Sequence, residues 1–204
     1  MGKIPVDVGA LGVDLLSLSA HKFHGPKGVG ALCVRQGTKL APFMTGGSQE
    51  RKRRAGTENV PGIAGLGEAA RLASERLPAM ATRIAGLRDR FEDAVQSRIA
   101  GVTINGTVAH RLPMVSNLSF ERLEGEAAVI ALDLEGLAAS TGSACSSGSL
   151  EPSHVLTAMG LRPEAVQGSL RFSFCWHTGE TEALEALEIL VRVVERLRGL
   201  KRPR

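Results

Sequence analysis

Val13–Val34 reads VDLLSLSAHKFHGPKGVGALCV, and the fold class turns on this stretch. Val13–Ser19 mixes apolar with small residues, a pattern that predicts a buried strand. Gly28–Val34 (GVGALCV) predicts a second strand. HGPKG between them continues neither, because Pro26 lies among glycines. Ser19, His21 and Lys22 are thereby placed at the carboxyl end of a strand, where ligands collect in α/β sheets.

Outward from this hairpin the spacing changes. Residues 45–57 (TGGSQERKRRAGT) are polar and glycine-punctuated and predict an exposed loop. From Pro61 the period is helical, with Met80, Ile84, Leu87, Phe91 and Val95 on one face and a stop at Gly101. Pro78 is expected to split this region into two helices and to mark a domain hinge. Strands are predicted at 115–120 and 169–174, and a short helix at 125–134 closed by Gly136. The loop 140–151 (STGSACSSGSLE) runs into a helix opening at Pro152. A last helix follows Thr178, with Glu180 and Glu182 at its positive end and Leu184, Leu187, Val191 and Val194 as its buried stripe. Strands alternating with helices give an α/β class.

Composition narrows the function classes. The chain has 204 residues, 43% of them hydrophobic, enough to bury a sizeable core. Its 25 basic and 21 acidic residues are interspersed, and the net charge of +4 does not argue for nucleic acid. With no Tyr and one Trp there is no stacking platform for single strands. Cys33, Cys145 and Cys175 are widely spaced, which fits free thiols in a reducing compartment rather than disulfides or zinc. No apolar run approaches a membrane span, so the expectation is a soluble, cytoplasmic protein.

Two places carry chemistry. Lys22 at a strand end becomes a nucleophilic amine if neighbours lower its pKa, as Schiff-base formation requires. Ser19 and His21 offer a hydroxyl and an imidazole that could hold a phosphate beside it. The competing reading is an exposed loop lysine. Lys27 in the turn has no such neighbours. Cys145 sits among small polar residues, where a thiol can be reached and can travel, against the alternative of a serine-like cysteine of no consequence. Cys33 and Cys175, in strand patterns, are expected to be core residues. Arg171 interrupts an apolar strand; it either grips a substrate carboxylate or pairs with a carboxylate of its own domain. Arg51, Lys52, Arg53 and Arg54 are a solvated face or an electropositive rim. The histidines at 24, 110, 154 and 177 lack metal-ligand spacing, so no resident metal is expected.

Five stretches occur in order: SLSAHKFHGPKGVGALCV (17–34), GGSQERKRRAGTENV (46–60), NLSFERLEGEA (117–127), STGSACSSGSLEPSHVLTAMGL (140–161) and SLRFSF (169–174). Together they resemble the NifS/IscS-type cysteine desulfurases of the class-V aminotransferase group, over essentially the whole chain. The resemblance implies part of the pyridoxal-phosphate-dependent transferase fold type I: residues 1–77 as the end of the large cofactor domain, and 78–204 as the small C-terminal α/β domain with the cysteine loop. It implies that Lys22 holds pyridoxal 5'-phosphate and moves the Cα proton, and that Ser19 and His21 contact the cofactor phosphate. Thr57 would reach the phosphate of a neighbouring subunit's cofactor, which implies a homodimer. Arg171 would bind the carboxylate of L-cysteine. Cys145 would take the sulfur as a persulfide, leave alanine, and pass the sulfur to an iron–sulfur scaffold or another acceptor protein; it could transiently ligate a cluster during transfer. Other activities on the same scaffold are a selenocysteine lyase or an aminotransferase, and the mobile-loop cysteine argues against plain transamination. Family members are about twice this length. The ring-stacking histidine, the aspartate at the pyridine nitrogen, the glutamine at the ring oxygen and the glycine-threonine phosphate loop have no counterpart in these 204 residues. The chain is therefore expected to carry half of the cofactor pocket, and either to need a partner polypeptide or to be a non-catalytic remnant.

Overall fold

The computed structural model describes residues 1–107, 110–141 and 152–200. Two compact units are present, Met1–Ala79 and Met80–Arg204. The first holds α1 (Val8–Leu11), β1 (Leu15–Ser19), β2 (Gly30–Val34), α2 (Gln49–Lys52) and the start of α3 (Val60–Arg98). The second holds the rest of α3, then β3 (Val102–Ile104), β4 (Val115–Phe120), α4 (Gly125–Leu134), α5 (His154–Ala158), α6 (Pro163–Gln167), β5 (Ser169–Ser173) and α7 (Glu180–Leu200).

In the first unit β1 and β2 form an antiparallel pair in which Ser19 faces Gly30 and Leu15 faces Val34. A Cβ at position 30 would stand 2.5 Å from the Leu18 carbonyl oxygen, so the tight end of the hairpin requires glycine there. The loop expected at 45–57 contains the single turn α2, in which Glu50, Arg51 and Lys52 all carry left-handed φ. All four basic residues of the run 51–54 are exposed.

The second unit is a three-stranded antiparallel sheet ordered β3-β4-β5, with α3, α4 and α7 packed on its core face. Period-2 alternation turns Leu118 and Phe120 of β4, and Leu170 and Phe172 of β5, into the core. They meet Ile84, Leu87, Phe91 and Val95 of α3 and Leu187, Leu190 and Val194 of α7. Phe91 anchors the contact, its ring centroid 5.3 Å from that of Phe172 and 5.5 Å from that of Phe174.

Several expectations are corrected. Pro78 does not divide the helical region: α3 is one 39-residue helix with Pro78 inside it. The ring removes one backbone hydrogen bond, and the helix-favouring neighbours SERL and AMATR carry the helix across. Cys33 is exposed, not core, and Cys175 is half-buried. A strand face is buried only where something covers it, and Gly30–Cys33 are all exposed. Leu184 is 60% exposed, because the α7 stripe is centred on Ala183, Leu187, Leu190 and Val194. The helix expected at Pro152 begins at His154, where the Ser153 hydroxyl accepts the Leu156 N–H. The short strand β3 was not expected.

Candidate active site

Lys22 lies in a four-residue 3-10 turn, Ala20–Phe23, that follows β1 without a break. Backbone bonds close the turn: the Ala20 N–H donates to the Val29 carbonyl at 3.1 Å, the Gly25 N–H to the Ala20 carbonyl at 2.9 Å, and the His24 N–H also to the Ala20 carbonyl. His24 ends it in the left-handed region. Ala20 and Phe23 point inward and are buried, which leaves His21 and Lys22 exposed. Helix α3 supports this turn at close range. A Cβ on Gly25 would come within 2.8 Å of the Ala20 side chain and 3.1 Å of that of Ala69, and one on Gly65 within 2.5 Å of Pro26. The turn is held by packing that larger residues would not permit.

Ser19 occupies the cap position of the turn, yet its hydroxyl makes no capping bond. Among the described residues neither that hydroxyl, nor the His21 imidazole, nor the Lys22 amine has a hydrogen-bond or ion-pair partner. Three uncommitted polar groups therefore share one rigid turn. Thr57 is exposed in the same unit, and no hydrogen bond ties it to the turn. A cleft of about 100 Å³ lies at the opposite end of the hairpin, lined by Val8, Leu15, Leu16, Cys33 and Arg35, and plays no part in placing Lys22.

Arg171 belongs to the second unit. It is half-buried on the sheet face opposite the core, and no acidic side chain among the described residues pairs with it. Its backbone is joined to Ser140, with Arg171 N–H to Ser140 oxygen at 2.6 Å and Ser140 N–H to Arg171 oxygen at 3.2 Å. Cys145 follows five positions later in the chain and lies outside the described residues.

Two side-chain groups in this unit were not anticipated. Glu92, 2% exposed, accepts from Arg111 at 2.8 and 2.6 Å. The bond to Glu92 holds the Arg111 guanidinium above its ordinary pKa. Beside it the buried Arg88 donates to the Leu112 and Pro113 carbonyls at 2.9 and 3.2 Å, fixing the approach to β4. The second group is a polar chain on the outer sheet face. The Asn105 amide donates to Asn117 Oδ1 at 2.6 Å and to Ser119 Oγ at 2.8 Å, and Ser119 Oγ donates to the Ala165 carbonyl at 2.7 Å. Its signal in the sequence was the alternation of Asn117 and Ser119 along a strand otherwise facing the core. Among the described residues no three His, Cys, Asp or Glu side chains converge as metal ligands, and no helix is long and apolar enough to cross a membrane.

The aminotransferase class-V family model matches residues 1–187. A cysteine desulfurase IscS of Dictyoglomus turgidum is 52% identical over 98% of this chain and 51% of its own length. A cysteine desulfurase of Trichormus azollae is 48% identical over 98% of this chain and 50% of its own. A solved NifS-like protein superposes with a TM-score of 0.86 at 35% identity, covering 96% of this chain and 50% of that one. The chain spans about half the length of the curated relatives it matches.

Proposed function

Because this chain belongs to the class-V aminotransferase family, whose cysteine desulfurase members depend on pyridoxal phosphate, we propose that it supplies the lysine, carboxylate-binding and sulfur-accepting residues of a cysteine desulfurase acting on L-cysteine. The observation that carries this is the Lys22 turn. An amine without a carboxylate partner, a hydroxyl excused from capping and a free imidazole suit a phosphate-bearing aldehyde better than they suit a structural turn. That donor set fits the cofactor. When bound, pyridoxal phosphate supplies an electron sink for charge that develops at an amino acid's Cα.

The chain's own residues then divide the work. Lys22 would hold the cofactor's aldehyde carbon through its Nζ and would carry the Cα proton. Ser19 and His21 would donate to the cofactor's phosphate. Arg171 orients the substrate through its carboxylate, a fork-to-fork match that fixes the Cα–H direction. Cys145 attacks the substrate sulfur as a thiolate: an S–S bond forms, the C–S bond breaks, and the carbon that loses sulfur takes a proton to give alanine. The persulfide on Cys145 is then available to an iron–sulfur scaffold or another acceptor. Thr57, exposed on the first unit, is assigned to the phosphate of a second subunit, which makes the working form a homodimer.

The deciding experiment uses the protein purified from its own cells, with any polypeptide that accompanies it, carrying Lys22→Ala or Cys145→Ser at the chromosomal locus. Borohydride should fix the cofactor to the Lys22 peptide, and L-cysteine should leave an added sulfur on the Cys145 peptide. Cys145→Ser should abolish sulfide release while retaining cofactor. Because Cys33 is exposed, it is the thiol to separate by mass spectrometry. Added sulfur on Cys33 or Cys175, or cofactor fixed to Lys27, would refute the assignment.

A further inference from the structure

Asn117 and Arg171 are directly opposed across β4 and β5. Leu118, Leu170 and Phe172 face the core, so the alternating positions 117 and 171 share the outer face. The backbone N–H and carbonyl of Arg171 are committed to Ser140, on the other side of the strand. The Asn117 carbonyl is likewise turned away, accepting the Asn105 N–H at 2.8 Å. The pair is therefore the non-hydrogen-bonded kind, in which opposed Cα atoms lie only ~4.5 Å apart and side chains are closest.

The hydrogen-bond chain also fixes which end of the Asn117 amide is free. Ser119 Oγ uses its proton on the Ala165 carbonyl, so towards Asn105 it can only accept. The Asn105 atom that meets it must be the NH2, and the same NH2 meets Asn117, which must present its oxygen. Nδ2 of Asn117 is left over: a donor with no acceptor among the described residues, on a half-buried rung beside a guanidinium that also lacks an acceptor. An amide donor of fixed orientation on the rung opposite an arginine, both without an acceptor among the described residues, calls for an anionic acceptor.

We propose that Asn117 Nδ2 is a second donor to the carboxylate bound by Arg171, with Asn105 and Ser119 as positioning residues that hold the amide in that orientation. This rests on the carboxylate role given to Arg171 above. An arginine alone leaves the carboxylate free to swivel about the guanidinium; a second donor from the facing strand fixes its plane, and with it the direction of the Cα substituents.

The test is an NMR titration of the 204-residue chain with L-alanine, and with ethylamine, which lacks the carboxylate. L-Alanine should give saturable shifts of the Asn117 side-chain NH2 and the Arg171 Nε–H, and ethylamine none. Asn117→Ala should weaken alanine binding roughly tenfold, the size of one hydrogen bond to a charged group. Asn117→Asp keeps the acceptor for Asn105 but sets a negative charge against the ligand, and should abolish binding. If Arg171→Ala abolishes binding while Asn117→Ala binds within about twofold of the unsubstituted chain, the Arg171 reading stands and the Asn117 proposal falls. If Arg171→Ala binds alanine unchanged, or the unsubstituted chain shows no shift at either side chain, both fall.

Discussion

The two units handle apolar surface in opposite ways. Met80–Arg204 closes a continuous core of strand and helix residues around Leu118, Phe120, Leu170 and Leu190. Met1–Ala79 buries little beyond Ala20, Phe23 and Ala69, and leaves Ile4, Leu11, Leu15, Leu32, Met44 and Ile63 exposed, with Phe43 at 99%. Yet the more open unit holds the more sharply defined candidate turn. The Lys22 turn is set by short-range backbone hydrogen bonds and by glycines at van der Waals limits, which are local constraints. The Arg171 rung is set by pairing between residues more than fifty positions apart, and needs a core to hold the register. Site precision and hydrophobic burial are thus separable, and each can be broken alone.

The largest expected effect is on the closed core. Phe120→Ala, at a side chain 1% exposed, should cost about 3–5 kcal/mol. Urea unfolding followed by the fluorescence of Trp176, the sole tryptophan and a residue of the second unit, reads it. Leu32→Ala on the open hairpin, where the leucine is 48% exposed, should stay within about 0.5 kcal/mol, read by hydrogen exchange at the β1 and β2 amides of its own unit. Equal costs at the two sites would erase the contrast.

Pro78→Ala comes next. Restoring one backbone bond inside α3 should stabilise the local helix by about 1–3 kcal/mol. The signature is slower hydrogen exchange at α3 amides near position 78, and unchanged exchange would mean that the helix already compensates fully for the proline.

The smallest effect is at Glu188, whose carboxyl is held below its ordinary pKa of 4.5, chiefly by the hydrogen bond from Arg98. The folded state favours the ionised form, so the contribution is present above the unfolded pKa and is lost as pH falls through the lower, folded value. Glu188→Gln should therefore lower stability slightly near neutral pH and converge with the parent in acid. A difference that grows on acidification would contradict this direction. The pair is solvent-exposed, which keeps the effect small and sensitive to salt.

Local chemistry was legible in the sequence. The Gly-Pro-Lys-Gly break placed the hairpin, the 3.6 period placed α3 and α7, and the ordered motifs pointed to the family and to Lys22, Ser19, His21, Thr57, Arg171 and Cys145 as its candidates. These signals depend on near neighbours in the chain, whose spacing the sequence states directly. What only the tertiary structure decided depends on distant neighbours. Cys33 has a core residue's pattern but no cover. Pro78 has a breaker's chemistry inside a helix that continues. The buried Glu92 gains its half-buried partner Arg111 only when the segment leading into β4 docks on α3. The free end of the Asn117 amide is fixed by Asn105, Ser119 and the Ala165 carbonyl, partners brought together by strand register and a helix end. Periodicity states which face a side chain takes; it does not state what stands opposite that face, and burial, pairing and donor orientation all follow from what does.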